Sequence, residues 1–228
     1  MSNDPNASPV NPLPPVVVAL AFAIFAVEVV LAAANKGYIG GAEGVGWRLE
    51  AVRSYAFSTD VLVWMIDTQQ WPVKQIARFV TYPFVHLGFT HMLMVLVFLL
   101  ALGKMVGETL GSLAVVATFF ASAIFGALIY AGLSGSPQPL IGGYPAVYGL
   151  IGTYTFLLWT HAAATGQRQS RAFTLIVFLM GIQLLFGLLF GSGPDWIADL
   201  AGFLMGFLIA PVVAPGGFRR LLEKLRAR

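Results

Sequence analysis

The sequence predicts an all-α membrane protein with six transmembrane helices and a long first loop. Of its 228 residues, 58% are hydrophobic and only 10% are charged, whereas soluble domains usually carry about 25% charged residues. Long apolar runs alternate with short clusters of Gly, Pro and Ser, which break helices. At about 20 residues for each membrane span, the chain has room for about six such helices.

The first apolar run follows a polar, proline-rich stretch, residues 1–12, for which we predict a disordered tail. The run itself covers residues 13–34 and includes Ala32-Ala33-Ala34, which resembles a signal-peptide cleavage site. A signal peptide is disfavoured because the tail has no Lys or Arg and the run exceeds a usual signal core. We therefore predict a retained helix, in which the deeply placed Glu28 faces other helices or a polar crevice.

Residues 35–84 differ from the rest of the chain because charged and apolar residues are interspersed there. Trp47, Trp64 and Trp71 lie in this stretch, which lacks an uninterrupted apolar span. Amphipathic segments that carry Trp suit the membrane interface, so we predict a long loop lying there. A folded loop outside the membrane is the alternative.

Five further apolar runs follow and complete the predicted transmembrane domain, residues 13–214. They cover residues 88–106, 111–132, 145–160, 171–190 and 196–214. With the N-terminus inside, six spans place Lys104, Arg168, Arg171 and the basic tail, residues 215–228, in the cytoplasm, as the positive-inside rule requires. The cations of that tail are Arg219, Arg220, Lys224, Arg226 and Arg228.

Composition also limits the chemistry that the chain can perform. The absence of cysteine excludes disulfides, thiol catalysis and cysteine metal sites. His86 and His91 are five residues apart, so on one helix they would point about 140° apart and could not share a metal ion. We expect no metal and no cofactor. The basic tail favours a membrane surface, and we expect no nucleic-acid partner for so hydrophobic a chain.

Three regions of the sequence resemble, in order, spacing and membrane context, the signature regions of rhomboid intramembrane proteases. The first covers residues 78–111, the second 140–152 and the third 196–206. The positions that match family motifs are Arg78, His86, His91, Gly103, Gly142, Gly143, Gly202 and Gly206. The resemblance implies a rhomboid-like bundle in which Arg78 belongs to the first loop and the two histidines shape a water-accessible cavity.

The positions that perform catalysis in that family are occupied here by other residues. The family cleaves peptide bonds in the membrane with a serine at the start of helix four and a histidine on helix six. An asparagine on helix two helps to bind the oxyanion. Tyr144 stands at the serine position, followed by Pro145 where the family has Gly, Asp199 stands at the histidine position, and Val95 stands at the asparagine position.

These replacements remove the chemistry of a serine protease. A phenol has an ordinary pKa near 10 and is a poor acylating nucleophile. Val95 cannot donate a hydrogen bond, and losing one oxyanion donor typically costs about 100- to 1000-fold in rate. A literal G-x-S-G motif exists at Gly132 to Gly135. However, Ser-Pro-Gln-Pro follows it and cannot begin a helix, so we interpret Ser134 as a turn residue.

Small residues predict that helices four and six pack closely. Asp199, Gly202 and Gly206 follow i, i+3, i+7 and share one helix face, and Gly149 and Thr153 offer the same spacing on helix four. Pro145 suits the first position of helix four. Because an ionisable group on a packed face needs a partner, we predict a hydrogen bond between the Tyr144 hydroxyl and the Asp199 carboxylate.

The sequence favours a rhomboid-like pseudoprotease that binds transmembrane segments of client proteins without cleaving them. Its expected surroundings are the lipid bilayer and a transmembrane client or partner, in a bacterial inner membrane with both termini cytoplasmic. Two alternatives are an intramembrane peptidase with an unconventional nucleophile and an accessory subunit of a larger membrane complex. Gln183, on helix five, is expected to hydrogen-bond either a client helix or a neighbouring helix.

Overall fold

The computed structural model describes residues 12–191, 193–215 and 217, and this part of the chain is almost entirely helical. Six long helices are α1 (Pro15–Asn35), α7 (Phe89–Leu110), α8 (Ser112–Leu133), α9 (Tyr144–Ala164), α10 (Thr174–Phe190) and α11 (Trp196–Val213). Five short ones follow α1: α2 (Gly41–Gly44), α3 (Trp47–Tyr55), α4 (Thr59–Thr68), α5 (Val73–Ile76) and α6 (Arg78–Thr81). Single 3-10 turns, Tyr82–Phe84 and Gln169–Phe173, precede α7 and α10.

Five segments in the described residues are long and apolar enough to cross a membrane. They are Pro15–Asn35, Phe89–Leu110, Ser112–Leu133, Gln169–Leu189 and Trp196–Val213. The fold is therefore that of a multi-pass helical membrane protein. Most of the predicted N-terminal tail, residues 1–11, and the cations of the predicted basic tail lie outside the described residues.

Helix α9 is the centre of the bundle and contacts α7, α8, α10 and α11. Eleven of its residues are buried, among them Pro145, Gly149, Thr153 and Thr155. A helix shielded by protein needs no lipophilic outer surface, so it can hold Gly, Thr and Tyr without exposing them to lipid. This shielding explains why α9 is less apolar than the helices around it. It extends to Ala164, beyond the predicted run of 145–160.

Glycines bring the backbones of α9 and α11 into direct contact. A Cβ atom on Gly206 would collide with the carbonyl oxygen of Gly149, and one on Gly202 would collide with that of Pro145. The Thr153 hydroxyl also donates a hydrogen bond to the Gly206 carbonyl oxygen at 2.9 Å. The close packing that the small-residue spacing predicted is thus confirmed.

The loop between α1 and α7 is fixed to the bundle by main-chain hydrogen bonds. Phe57 and Leu140 exchange two N–H···O bonds, of 3.1 and 2.8 Å, so the loop pairs with the segment that leads into α9. The Arg78 guanidinium donates to the carbonyl oxygens of Ala56 and Arg53, each at 2.7 Å. Burial lowers the pKa of Arg78 from its ordinary value. Arg78 therefore stabilises the loop from inside.

We expect Gly206→Ala to lower the free energy of unfolding by about 1–3 kcal/mol, because the new methyl group must push α9 and α11 apart. Gly181→Ala is the matched control, since a Cβ on Gly181 of α10 meets no atom within 4 Å. That control should be neutral or stabilising, because Ala is the better helix former. Thermal unfolding in detergent measures the stability of both variants. Equal stability of the two variants would contradict a glycine-dependent contact.

Candidate functional site

The candidate site lies where the N-terminal ends of α7, α9 and α11 meet. A small cavity of about 150 Å³ opens there. His91, Tyr144, Pro145 and Asp199, all residues selected from the sequence, contribute to its wall. The remaining lining residues are Leu87, Leu140, Ile141, Gln183 and Asp195. The structure therefore brings together at one cavity Tyr144 and Asp199, which the resemblance aligns with the family's nucleophile and base.

The turn that leads into α9 requires its two glycines. Gly142 has a φ of +87°, and a Cβ there would lie 2.6 Å from the His91 ring. Its N–H donates to the Tyr82 carbonyl oxygen at 3.0 Å. Gly143, the N-cap of α9, donates its N–H to Nε2 of His86 at 3.4 Å. Glycine is needed at this turn both for the positive φ and for the close approach of the ring.

Tyr144 begins α9, and Pro145 is therefore the second helical residue rather than the first as predicted. Proline is tolerated there because the first turn has no intrahelical partner for its N–H. The Tyr144 ring stacks on the His91 ring, with centroids 5.2 Å apart and planes at 20°. The aromatic pair occupies the space beside the helix start, where the family has a small serine side chain.

Asp199 is buried, with 2% of its surface exposed. Its Oδ2 accepts a hydrogen bond from Nε2 of Gln183 at 2.7 Å, and the Gln183 Oε1 accepts one from the Tyr148 hydroxyl at 2.9 Å. The predicted hydrogen bond from Tyr144 to Asp199 is wrong. Gln183 reaches across from α10 and takes that place, while the Tyr144 ring lies against His91.

Sequence reasoning missed this three-residue chain, although it did expect Gln183 to bond either a client or a neighbour. Gln183 bonds two neighbouring helices, through Asp199 of α11 and Tyr148 of α9. The sequence did not indicate a role for Tyr148. One signal was available, since Gln183 is the single amide in the otherwise apolar α10 sequence. Polar side chains inside apolar spans usually mark helix contacts or sites.

Val95, at the oxyanion position, is fully buried on α7. A Cβ on Gly143 would lie 2.8 Å from its Cγ1, so the valine methyl fills the space directly beside the helix start. The side chain offers no hydrogen-bond donor. The neighbouring N–H of Gly143 is already directed at His86. Neither of these two groups offers a free hydrogen-bond donor to the cavity.

The two histidines come together, which the helical spacing argument did not predict. α7 begins only at Phe89, so His86 lies in the preceding loop, and its ring meets that of His91 edge-on with centroids 5.0 Å apart. The prediction that they point about 140° apart on one helix is therefore wrong. In the described part of the chain, no group of three or more His, Cys, Asp or Glu residues is arranged to hold a metal ion.

A partly buried ion pair fixes the loop that holds His86. Arg48 of α3 makes a two-pronged salt bridge to Glu28 of α1, at 2.8 and 2.9 Å. The same guanidinium donates to the His86 carbonyl oxygen at 2.6 Å. The expectation that Glu28 faces other helices or a polar crevice is confirmed, because the buried side chain faces Arg48 of α3. Three separate segments of the chain are thereby joined behind the cavity.

Ser134 and Arg78, also selected from the sequence, form hydrogen bonds within loops outside the cavity. Ser134 is the C-cap that follows α8, and its hydroxyl oxygen accepts a hydrogen bond from the Ser136 N–H at 3.3 Å, which confirms a turn. Arg78 is bonded within the first loop, as described above.

The fold and site define a polytopic membrane protein with a small polar cavity at the meeting point of three helix ends. A family model for the rhomboid domain matches residues 73–216, more than half of the chain. The chain therefore belongs to the rhomboid family, whose members are normally intramembrane serine proteases. The comparison with curated proteins returns no match.

We expect acid to destabilise the folded protein through His86. Burial, the nearby His91 and the Arg48 cation lower the pKa of His86 to about 3, although the Phe84 carbonyl opposes this shift. An unfolded chain binds the proton near pH 6.5, whereas the folded chain stays neutral. The free energy of unfolding therefore decreases by roughly 1.4 kcal/mol per pH unit below about 6.5, until the folded pKa is reached.

The measurement is thermal unfolding in detergent between about pH 7 and pH 5, a range above most carboxylate pKa values. His86→Gln keeps a neutral acceptor for the Gly143 N–H and should show a smaller loss of stability on acidification. His161→Gln, on an exposed histidine, is the control and should retain the wild-type pH dependence. If His86→Gln also retains the full dependence, the protonation of His86 is not the cause.

Proposed function

We propose that this rhomboid is a pseudoprotease that binds transmembrane segments of client proteins without cleaving them. The principal support is the occupancy of the former catalytic positions. The Tyr144 ring is stacked on His91, and the Asp199 carboxylate is bonded to Gln183 rather than to a nucleophile. Nucleophilic catalysis needs a hydroxyl within hydrogen-bond reach of its base, and these two side chains have other partners.

A second space makes client binding plausible on geometric grounds. A groove of about 940 Å³ lies between α7 and α10 and reaches Tyr144. Its walls include Met94 on α7 with Ile182 and Phe186 on α10. Both helices are apolar candidate membrane spans, so the occupant of this groove enters from the bilayer. A helical segment with apolar side chains has the matching chemistry, because its backbone polar groups are bonded internally.

The topology that we propose has six spans, with α9 crossing the membrane inside a ring of the other five. The first loop, with Trp47, Trp64 and Trp71, then lies at the interface. Both termini are cytoplasmic in this proposal, and the membrane is a bacterial inner membrane. The location of Lys104, Arg168 and Arg171 supports that orientation through the positive-inside rule.

A crosslinking experiment tests client binding directly. A photoreactive amino acid at Ile182, which lines the groove, should capture transmembrane segments in membranes. The matched control is the same amino acid at Val177, which is also exposed on α10 but points about 140° away. We expect capture from position 182 and little from 177. Equal capture at both positions would indicate contact with any membrane neighbour and would contradict a binding groove.

Cleavage is measured on the same clients and on a transmembrane reporter. We expect the reporter to remain intact in the presence of the wild-type chain. A product that disappears on Tyr144→Phe or on Ser134→Ala would establish an enzyme with an unconventional nucleophile and overturn the proposal. Capture of one partner in constant stoichiometry would instead establish an accessory subunit of a larger complex.

A further inference from the structure

Two adjacent spaces beside Tyr144 share part of their lining, and together they are called the recess here. The wide groove between α7 and α10 and the small cavity in front of Asp199 have Tyr144, Gln183 and Asp195 in common. The outer part has apolar walls, whereas the inner end presents carboxyl groups. An occupant of the groove therefore meets a chemically different environment at this end from that along its length.

The carboxyl groups at the inner end have no cationic partner among the described residues. The acidic residues that line the recess are Asp195 and Asp199, one helical turn apart at the start of α11, and no Lys or Arg lines it. Asp199 is 98% buried, since 2% of its surface is exposed, and it faces the cavity. In the described residues its one hydrogen bond comes from the neutral Gln183, and no ion pair involves it.

Glu28 is a second buried carboxylate in this protein, and its pairing differs from that of Asp199. It is also 2% exposed, and Arg48 pairs with both of its oxygens. Buried charges in proteins are usually paired in this way because an isolated one is costly. Asp199 departs from this pattern in the cavity that adjoins the open groove. The missing cation is therefore expected from a ligand.

We infer that the groove selects client transmembrane segments that carry a lysine or arginine, whose cation enters the cavity beside Asp195 and Asp199. The inference rests on the proposed client-binding function and names the class of client. A long cationic side chain suits this recess because its methylene stem can lie along Met94 and Ile182 while its charge reaches the carboxylates. Such segments are costly in lipid alone, so pairing there stabilises them.

An aminophospholipid headgroup is the other source of an ammonium group in a membrane. Its amine lies two carbons from a phosphate, and the two aspartates would repel that anion. A lysine side chain has no such anion nearby. Charge complementarity therefore favours the protein segment.

The test uses the full chain in vesicles of phosphatidylcholine and a transmembrane peptide of about 22 residues with neutral polar ends. In one peptide series, a single lysine is moved along the half of the segment that lies level with the N-terminal ends of α7, α9 and α11. A matched series has norleucine at the same positions. Fluorescence transfer to the chain measures binding. At one or two adjacent positions, lysine should improve affinity at least about tenfold over norleucine, as expected for a charge pair in an apolar site.

Neutral variants then identify the carboxylates responsible. Asp199→Asn and Asp195→Asn should each reduce the lysine preference, measured as the ratio of lysine-peptide affinity to norleucine-peptide affinity on the same variant. Asp67→Asn removes an exposed carboxylate of α4, far along the chain from the recess, and should leave the preference intact. The comparison of lysine with norleucine on the unmodified chain needs no variant, so it decides the inference even if an α11 variant fails to fold.

The outcomes separate the two proposals. If norleucine peptides bind as well as lysine peptides, or if lysine keeps its advantage in both aspartate variants, the cation inference is wrong while client binding stands. If no peptide binds, client binding itself is wrong. If added phosphatidylethanolamine displaces lysine peptides but spares norleucine peptides, the headgroup is the occupant and the inference is overturned.

Discussion

The contact between the backbones of α9 and α11 is the constraint on which the rest of the structure depends. Within a bilayer, helices gain little from burying apolar surface against each other, because lipid is equally apolar. Close packing and interhelical hydrogen bonds must then hold them together. Gly149, Gly202 and Gly206 allow carbonyl groups of one helix to touch the backbone of the other, and Thr153 adds a hydrogen bond to the contact.

That contact also sets the position of the site, because Tyr144 and Asp199 lie at the N-terminal ends of the two helices. The loop before α9 is then held by Leu140, which pairs with Phe57, and by Gly142, which bonds the Tyr82 carbonyl. None of these bonds uses a side chain at a former catalytic position. The backbone contacts therefore fix the positions of residues 144 and 199, and the side chains at those positions determine the chemistry of the site.

Much of this arrangement could be predicted from residue spacing. Glycines at i and i+4 and a lone glutamate in an apolar run restrict the packing or require a partner, and both predictions agreed with the structure. The proline after the Gly-Gly pair lies in the first turn of α9, one position later than predicted. The partner of Asp199 could not be predicted in this way. Periodicity shows which face a residue occupies, but it does not show which of several polar side chains, such as Tyr144 or Gln183, reaches the carboxylate.

The error over His86 has a similar origin. An apolar run shows that a helix exists, but it does not fix the first residue of that helix to within a turn. Val85 has extended backbone and α7 begins at Phe89, so His86 approaches His91 from a loop. Its position depends on Arg48 and Glu28, which are distant in sequence. Long-range ion pairs of this kind leave no local signature that spacing could reveal.

Gln183 connects the polar site to the arrangement of the bundle. α10 buries little of its surface against the other helices, and most of its side chains face outward. Its contacts with lipid and with protein are then similar in energy, so specific hydrogen bonds account for a larger share of its attachment. Gln183 supplies two of these bonds, to Tyr148 and to Asp199. In the proposed complex, a cation and the Gln183 amide share the Asp199 carboxyl group. In that complex, binding at the inner cavity is coupled to the position of α10 beside the outer groove, because a ligand shifts a conformation by the difference in its affinity for the two states.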